Sequence, residues 1–256
     1  MRDPHVQSLR YKLVPHELTR FCDPPPFTWE TEEFRATVAD GAATVNMLKH
    51  YPTVAEARAV VDERLRAWEI CSGLQSRSKY QPFRFEFWHE AMIDRDPDPE
   101  EGVRIRWRTS TTLTVDAVIS ELLKAIPPPP SEFDASPEVQ AMWWRWEEYN
   151  AGRSSLTAMA YYCLTVLEVG AGGRNEACER YGVSGRVLST LGRLASGVGD
   201  HRTARKAGVQ DHRLHTPEEQ RWIEEVVPAL IQRAGEHAFD STRQFTELTM
   251  AEFPML

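Results

Sequence analysis

The chain has 256 residues, 41% hydrophobic and 27% charged, which fits a globular protein of one large or two modest domains. A net charge of −8 excludes a uniformly basic nucleic-acid coat, but it leaves room for a local basic patch. The four cysteines, Cys22, Cys71, Cys163 and Cys178, form no Cys-x-x-Cys pair and read as reduced, mostly buried thiols of a cytoplasmic protein.

The N-terminal MRDPHVQSLRY lacks the apolar core of a secretion signal. Residues 1–51 read as extended. Leu9–Val14 is a first strand, and Phe34–Val38 and Thr44–Leu48 form a hairpin around Asp40-Gly41. Thr53 and Glu56 cap a helix in which Ala57, Val61, Leu65 and Trp68 recur at helical spacing, and Gly73 is expected to end it. Phe83–Trp88 and Val103–Arg108 alternate as half-buried strands, the second carrying Arg104, Arg106 and Arg108 on one face. Val115–Ala125 reads as helical. Residues 1–126 thus form an α+β module, a small antiparallel sheet with one or two helices.

Four prolines, Pro127–Pro130, open a stiff linker over residues 127–136. An all-α bundle is expected over 137–240. Val139, Met142, Trp143 and Trp146 mark its first helix, and Trp144 points away from that stripe. The next helix, Arg153–Val169, is the most continuous apolar run, with Leu156, Ala160, Cys163 and Leu167 on one stripe. It is too short and too polar for a membrane span and reads as the central helix of the bundle. Arg153 and Glu168 each oppose its dipole, so each is expected to have a specific partner. Asn175–Tyr181 and Ser184–Ala195 are two further helices. A polar connection covers 197–215. Thr216-Pro217-Glu218-Glu219 then caps a last helix, with Pro228 inside it. Residues 241–256 are a tail without a clear element.

Phosphate-binding loops, dinucleotide turns, nucleophile elbows and paired-histidine zinc helices are absent from the sequence. His89-Glu90 lacks a second histidine, so no metal or other cofactor is expected. The segment 176–191, EACERYGVSGRVLSTL, places Ala177 on a short helix, a Gly182-Val183-Ser184 turn, and Leu188 and Leu191 on a second helix. It resembles the helix-turn-helix of bacterial DNA-binding proteins, and the resemblance implies that Gly185, Arg186 and Ser189 face a major groove.

Residues 174–213 hold eight Lys/Arg against four Asp/Glu, while the whole chain is at −8. That asymmetry fits a phosphate-binding face, with Arg186, Arg202, Lys206 and Arg213 as contacts to RNA or DNA. Arg205 and His212 have six residues between them in this basic stretch. Two earlier pairs, Arg10 with His16 and Arg84 with His89, lie in strand-like sequence. Arg205-Lys-Ala-Gly-Val-Gln-Asp-His212, in its helical setting over 137–239, resembles the HEPN superfamily, whose helical bundles include metal-independent ribonucleases of toxin and defence systems. The resemblance implies that Arg205 holds the scissile phosphate, that His212 is the general acid or base, and that the active form is a homodimer. Lys206 and Gly208 depart from the commonest form of that motif. A scaffold that binds no nucleic acid is the remaining reading.

Overall fold

The computed structural model describes residues 2–17, 19–21, 24–76, 80–96, 121–123, 125–198 and 213–256. The protein is α+β and divides into two compact units, Met1–Pro130 and Ser131–Leu256. Among the described residues no helix is long and apolar enough to cross a membrane.

In the first unit, β1 (Pro4–Pro15), β3 (Phe27–Glu30), β4 (Phe34–Ala39), β5 (Ala42–Met47) and β6 (Phe83–Asp94) form an antiparallel sheet of order β3-β4-β5-β1-β6. Alternate residues Leu9, Tyr11 and Leu13, then Phe34, Ala36 and Val38, then Ala43, Val45 and Met47 build one buried face. Asp40 and Gly41 close the hairpin with positive φ, as the dipeptide predicts.

Two register shifts in the β1–β6 pairing break the period of two. One leaves Gln7 unmatched, so that Val6 and Leu9, three positions apart, both enter the core. The other leaves Trp88 unmatched, and β6 continues to Asp94, well beyond the Phe83–Trp88 alternation.

The helix α1 (Val54–Gln75) covers the buried face with Ala57, Val61, Leu65 and Trp68. Thr53 caps it as expected. Gly73 does not end it; that residue is buried within the helix, which runs on for two residues. Trp68 anchors the core, with Phe27, Trp29, Phe83 and Phe85 around its ring at centroid distances of 5.0–5.8 Å. Its indole N–H donates to the Pro127 carbonyl at 2.8 Å. Tyr11 donates its hydroxyl to Asp62 at 2.5 Å, which also pairs with Arg58 at 2.8 Å, tying sheet to helix.

The short β2 (Thr19–Phe21) pairs in parallel with β7 (Glu121–Leu123). This corrects the helical reading of Val115–Ala125, since its residues 121–123 are strand. Residues 115–120 and Val103–Arg108 lie outside the described residues.

The second unit begins at Ser131, so the stretch 131–136 is folded into it. Phe133 and Ala135 are buried, and Asp134 N–H donates to the Gly235 carbonyl at 3.0 Å. Ser136 caps α2 (Pro137–Asn150), Ser155 caps α3 (Leu156–Ala171), and Thr216 with Glu219 forms the full capping box of α6 (Pro217–Phe239). Between them lie α4 (Arg174–Tyr181) and α5 (Gly185–Gly197).

The helix α3 touches α2, α4, α5 and α6, because Met159, Ala160, Cys163, Leu164 and Leu167 are buried around much of its girth. Arg153 lies before this helix and pairs with Glu148 at 2.6 Å, while Glu168 pairs with Arg174 at 2.5 Å. Each thus has its own local partner across a turn, and no single ion pair joins them.

The tail 241–256 is packed on the helices. Leu248 forms a parallel bridge with Val183, Met250–Glu252 make a 3-10 turn capped by Thr249, and the Phe253 ring meets Trp222 edge-on at 6.1 Å.

Candidate nucleic-acid interface

The pair α4–α5 is built by its turn. Gly182 sits in the left-handed region at φ 58° and ψ 52°, a conformation that a side chain disfavours. The Ser184 hydroxyl then accepts the Val187 N–H at 3.4 Å and starts α5. Ala177 on α4 and Val187, Leu188, Leu191, Leu194 and Ala195 on α5 face inward. That leaves Gly185, Arg186, Ser189 and Arg193 exposed along one side of α5. A Cβ at Gly192 would stand 3.3 Å from Leu164, so the missing side chain lets α5 lie close to α3.

The arginines of the basic region divide into two groups. Arg174 is paired with Glu168. Arg180 donates to the carbonyl oxygens of Gly170 and Ala171, the last acceptors of α3, where a cation also suits the helix dipole. Arg213 forms a two-pronged pair with Glu219 at 2.7 Å for each bond, and the same carboxylate accepts the Thr216 N–H at 2.9 Å. Those bonds hold the Glu219 carboxyl at about 2, well below its ordinary range. Arg213 is therefore engaged in starting α6. By contrast, Arg186 and Arg193 make no ion pair with any described residue and stand two turns apart on the exposed side of α5.

Arg205, His212, Arg202 and Lys206 lie outside the described residues. The described residues on either side of them contact the helices. Val198 is buried at one end, and at the other the His215 Nε2 lies 3.1 Å from the Leu194 carbonyl oxygen. Of the four residues expected to bind nucleic acid, then, Arg186 is exposed and without an ion pair among the described residues, Arg213 is committed to Glu219, and Arg202 and Lys206 lie outside the described residues. Arg193 joins Arg186 on this side, and its spacing of seven from Arg186 on a capped helix is the signal for it in the sequence.

Elsewhere, Trp143 and Trp146 are buried and Trp144 is 50% exposed, as the helical stripe implied. The Arg145 guanidinium lies over the rings of Trp144 and Tyr162 at 4.8 and 4.6 Å. His89 is buried, and among the described residues no three His, Cys, Asp or Glu side chains are grouped to hold a metal. Burial pushes the Cys163 thiol up to about 12, so it is inert as a nucleophile. No protein-family model matches this chain, nor does any curated protein or solved structure.

Proposed function

We propose that the helical unit engages nucleic acid, with α5 laid against duplex DNA and α4 bracing it. The observation that carries this reading is the division among the arginines. Arg174, Arg180 and Arg213 are consumed by structural contacts, whereas Arg186 and Arg193 stand exposed on one side of α5 with Ser189 between them and form no ion pair among the described residues. A guanidinium bonds a phosphate or a guanine edge through two parallel N–H groups, and Ser189 is short enough to let the helix approach. The positive balance of residues 174–213 on an acidic chain adds attraction at longer range.

Fluorescence anisotropy with a mixed-sequence duplex across a salt series tests this. Binding that weakens with salt is expected, and Arg186→Ala or Arg193→Ala should each lower the log–log slope by about 0.9 per lost phosphate contact. A chain that shows no duplex binding at low salt overturns the reading.

A second reading is metal-independent RNA cleavage by Arg205 and His212 in a homodimer. It is supported by the six-residue spacing of Arg205 and His212 within the basic region of the chain. It requires RNA cleavage in EDTA that vanishes in Arg205→Ala and in His212→Ala while the far-ultraviolet spectrum is retained. Cleavage that persists in both variants sinks it.

A further inference from the structure

The C-terminal segment is attached to the turn on which the proposed interface depends. Leu248 N–H donates to the Gly182 carbonyl at 2.7 Å, and Ser184 N–H donates to the Leu248 carbonyl at 2.9 Å, so the segment clasps the turn from both sides. Phe245 presses on Gly182 so closely that a Cβ there would collide with it. The Phe245 ring is bracketed by the guanidinium groups of Arg233 and Arg243 at 4.8 and 5.6 Å, and Arg233 also donates to the Thr246 carbonyl at 2.9 Å.

The hold is specific but shallow. No side chain from Ser241 to Leu256 is buried, whereas Trp222, Ile223, Val226, Val227, Leu230 and Ile231 of α6 are. The segment is attached by the backbone pairing at Leu248, the bracketed Phe245 ring, the Arg243–Glu132 pair at 2.6 Å and the edge-on contact of Phe253 with Trp222. None of these places a side chain of the segment in the core, so it can detach without disturbing the core beneath it.

The segment also carries acid to the start of α5. Glu247 is exposed, one residue before Leu248. Burial raises the thiol of Cys178, which lies in van der Waals range of the space beside Gly185; the Arg174 charge lowers it, and the Glu247 charge adds a smaller rise. A carboxylate there opposes a phosphate at the N-terminal end of α5, where the helix dipole would otherwise attract one.

We propose that Thr242–Phe253 is a releasable strap that restrains nucleic-acid binding by α5 while it is clasped to Gly182–Ser184. This rests on the reading of α4–α5 as a nucleic-acid interface. Release would remove Glu247 from the helix start and free the Ser184 amide.

Two variants of the full chain test the strap by different routes. Phe245→Ala removes the bracketed ring. Gly182→Asn keeps the turn, because asparagine tolerates the left-handed conformation, but its Cβ takes the place of Phe245. Amide hydrogen exchange without nucleic acid should quicken at least tenfold at Ser184 and Leu248 in both variants and stay unchanged in α2, α3 and α6. Exchange that rises throughout the helices, or at neither amide, overturns the strap. With the same proteins, duplex affinity at low salt should rise about tenfold over the unaltered chain. Equal or lower affinity with locally quickened exchange overturns the restraint and leaves the interface standing. Absence of duplex binding in all three proteins overturns the interface itself, and the restraint with it.

Discussion

Each unit shelters a glutamate that accepts from an arginine and from a backbone amide, and the two have been driven in opposite directions. Glu69 of α1 accepts the Phe85 N–H at 2.6 Å and one Arg66 nitrogen at 2.8 Å. Burial nevertheless dominates, and its carboxyl is raised above the ordinary value. Glu219 of α6 is held at about 2. Surface accessibility hardly separates their side chains, at 8% and 13%, but depth does, since burial is the largest influence on Glu69 and is outweighed by Arg213 at Glu219. The placing of the donors adds to that difference. Glu219 takes both prongs of Arg213 and lies at a helix N-terminus, where unpaired amides favour an anion. Glu69 takes one prong and lies far from the N-terminus of its helix. A sheltered carboxylate is thus stabilised by its donors only when they outweigh the solvent it has given up.

The contrast can be broken by substitution. The largest effect is expected for Glu69→Ala, which leaves the buried Phe85 amide without its carboxylate acceptor and removes one partner of Arg66, and should cost about 2–3 kcal/mol in urea denaturation at pH 7. An effect below about 1 kcal/mol would mean that water replaces the carboxylate there.

Next comes Glu219→Gln, which keeps a capping-box acceptor but discharges the Arg213 pair, at about 1 kcal/mol near neutral pH. The sign of its pH dependence follows from the lowered carboxyl. Its stabilisation is present above the unfolded value of 4.5 and is lost as the pH falls towards about 2. The unaltered chain should therefore lose its advantage over Glu219→Gln across that acid window, and a constant gap would contradict the pairing.

The smallest effect is expected for Glu69→Gln, about 0.5 kcal/mol or less, and it runs the other way. A raised carboxyl contributes stability below 4.5 that is lost as the pH rises through its folded value. The variant should be less sensitive over that rise, so thermal melts at increasing pH should move in its favour.

The same two neighbourhoods show how far the sequence could be read. Helix starts were legible because their chemistry is local. Thr53, Ser184 and the Thr216–Glu219 box each cap the helix that follows. The α4–α5 pair was legible for the same reason, since a glycine and a serine two positions apart, Gly182 and Ser184, set both the turn and the next helix. The full length of β6 was not, because the unmatched Trp88 stops the alternation that marks a strand. Gly73 misled because packing overrode its low helix propensity. The strand at Glu121–Leu123 depends on a partner about a hundred residues away at Thr19–Phe21, which no local pattern reveals. At the candidate site, Arg186 is exposed where the helix-turn-helix resemblance expects it. The pairing of Arg213 was not legible, because its partner Glu219 already reads as the capping-box residue, and the one carboxylate serves both. Phe245 and Leu248 left no signal, since a strap is defined by the surface it lies on.

Phe133 and Gly235 carry a consequence for how the second unit tolerates change. The Phe133 ring occupies the space that any side chain at position 235 would need, and the neighbouring Asp134 amide is bonded to the Gly235 carbonyl. The ring thus acts as a peg in a socket that only glycine leaves open. Three residues later Ser136 caps α2. The spacing from peg to cap fixes where α2 begins relative to α6, so this short stretch should accept new polar residues at its exposed positions far more readily than a single insertion or deletion.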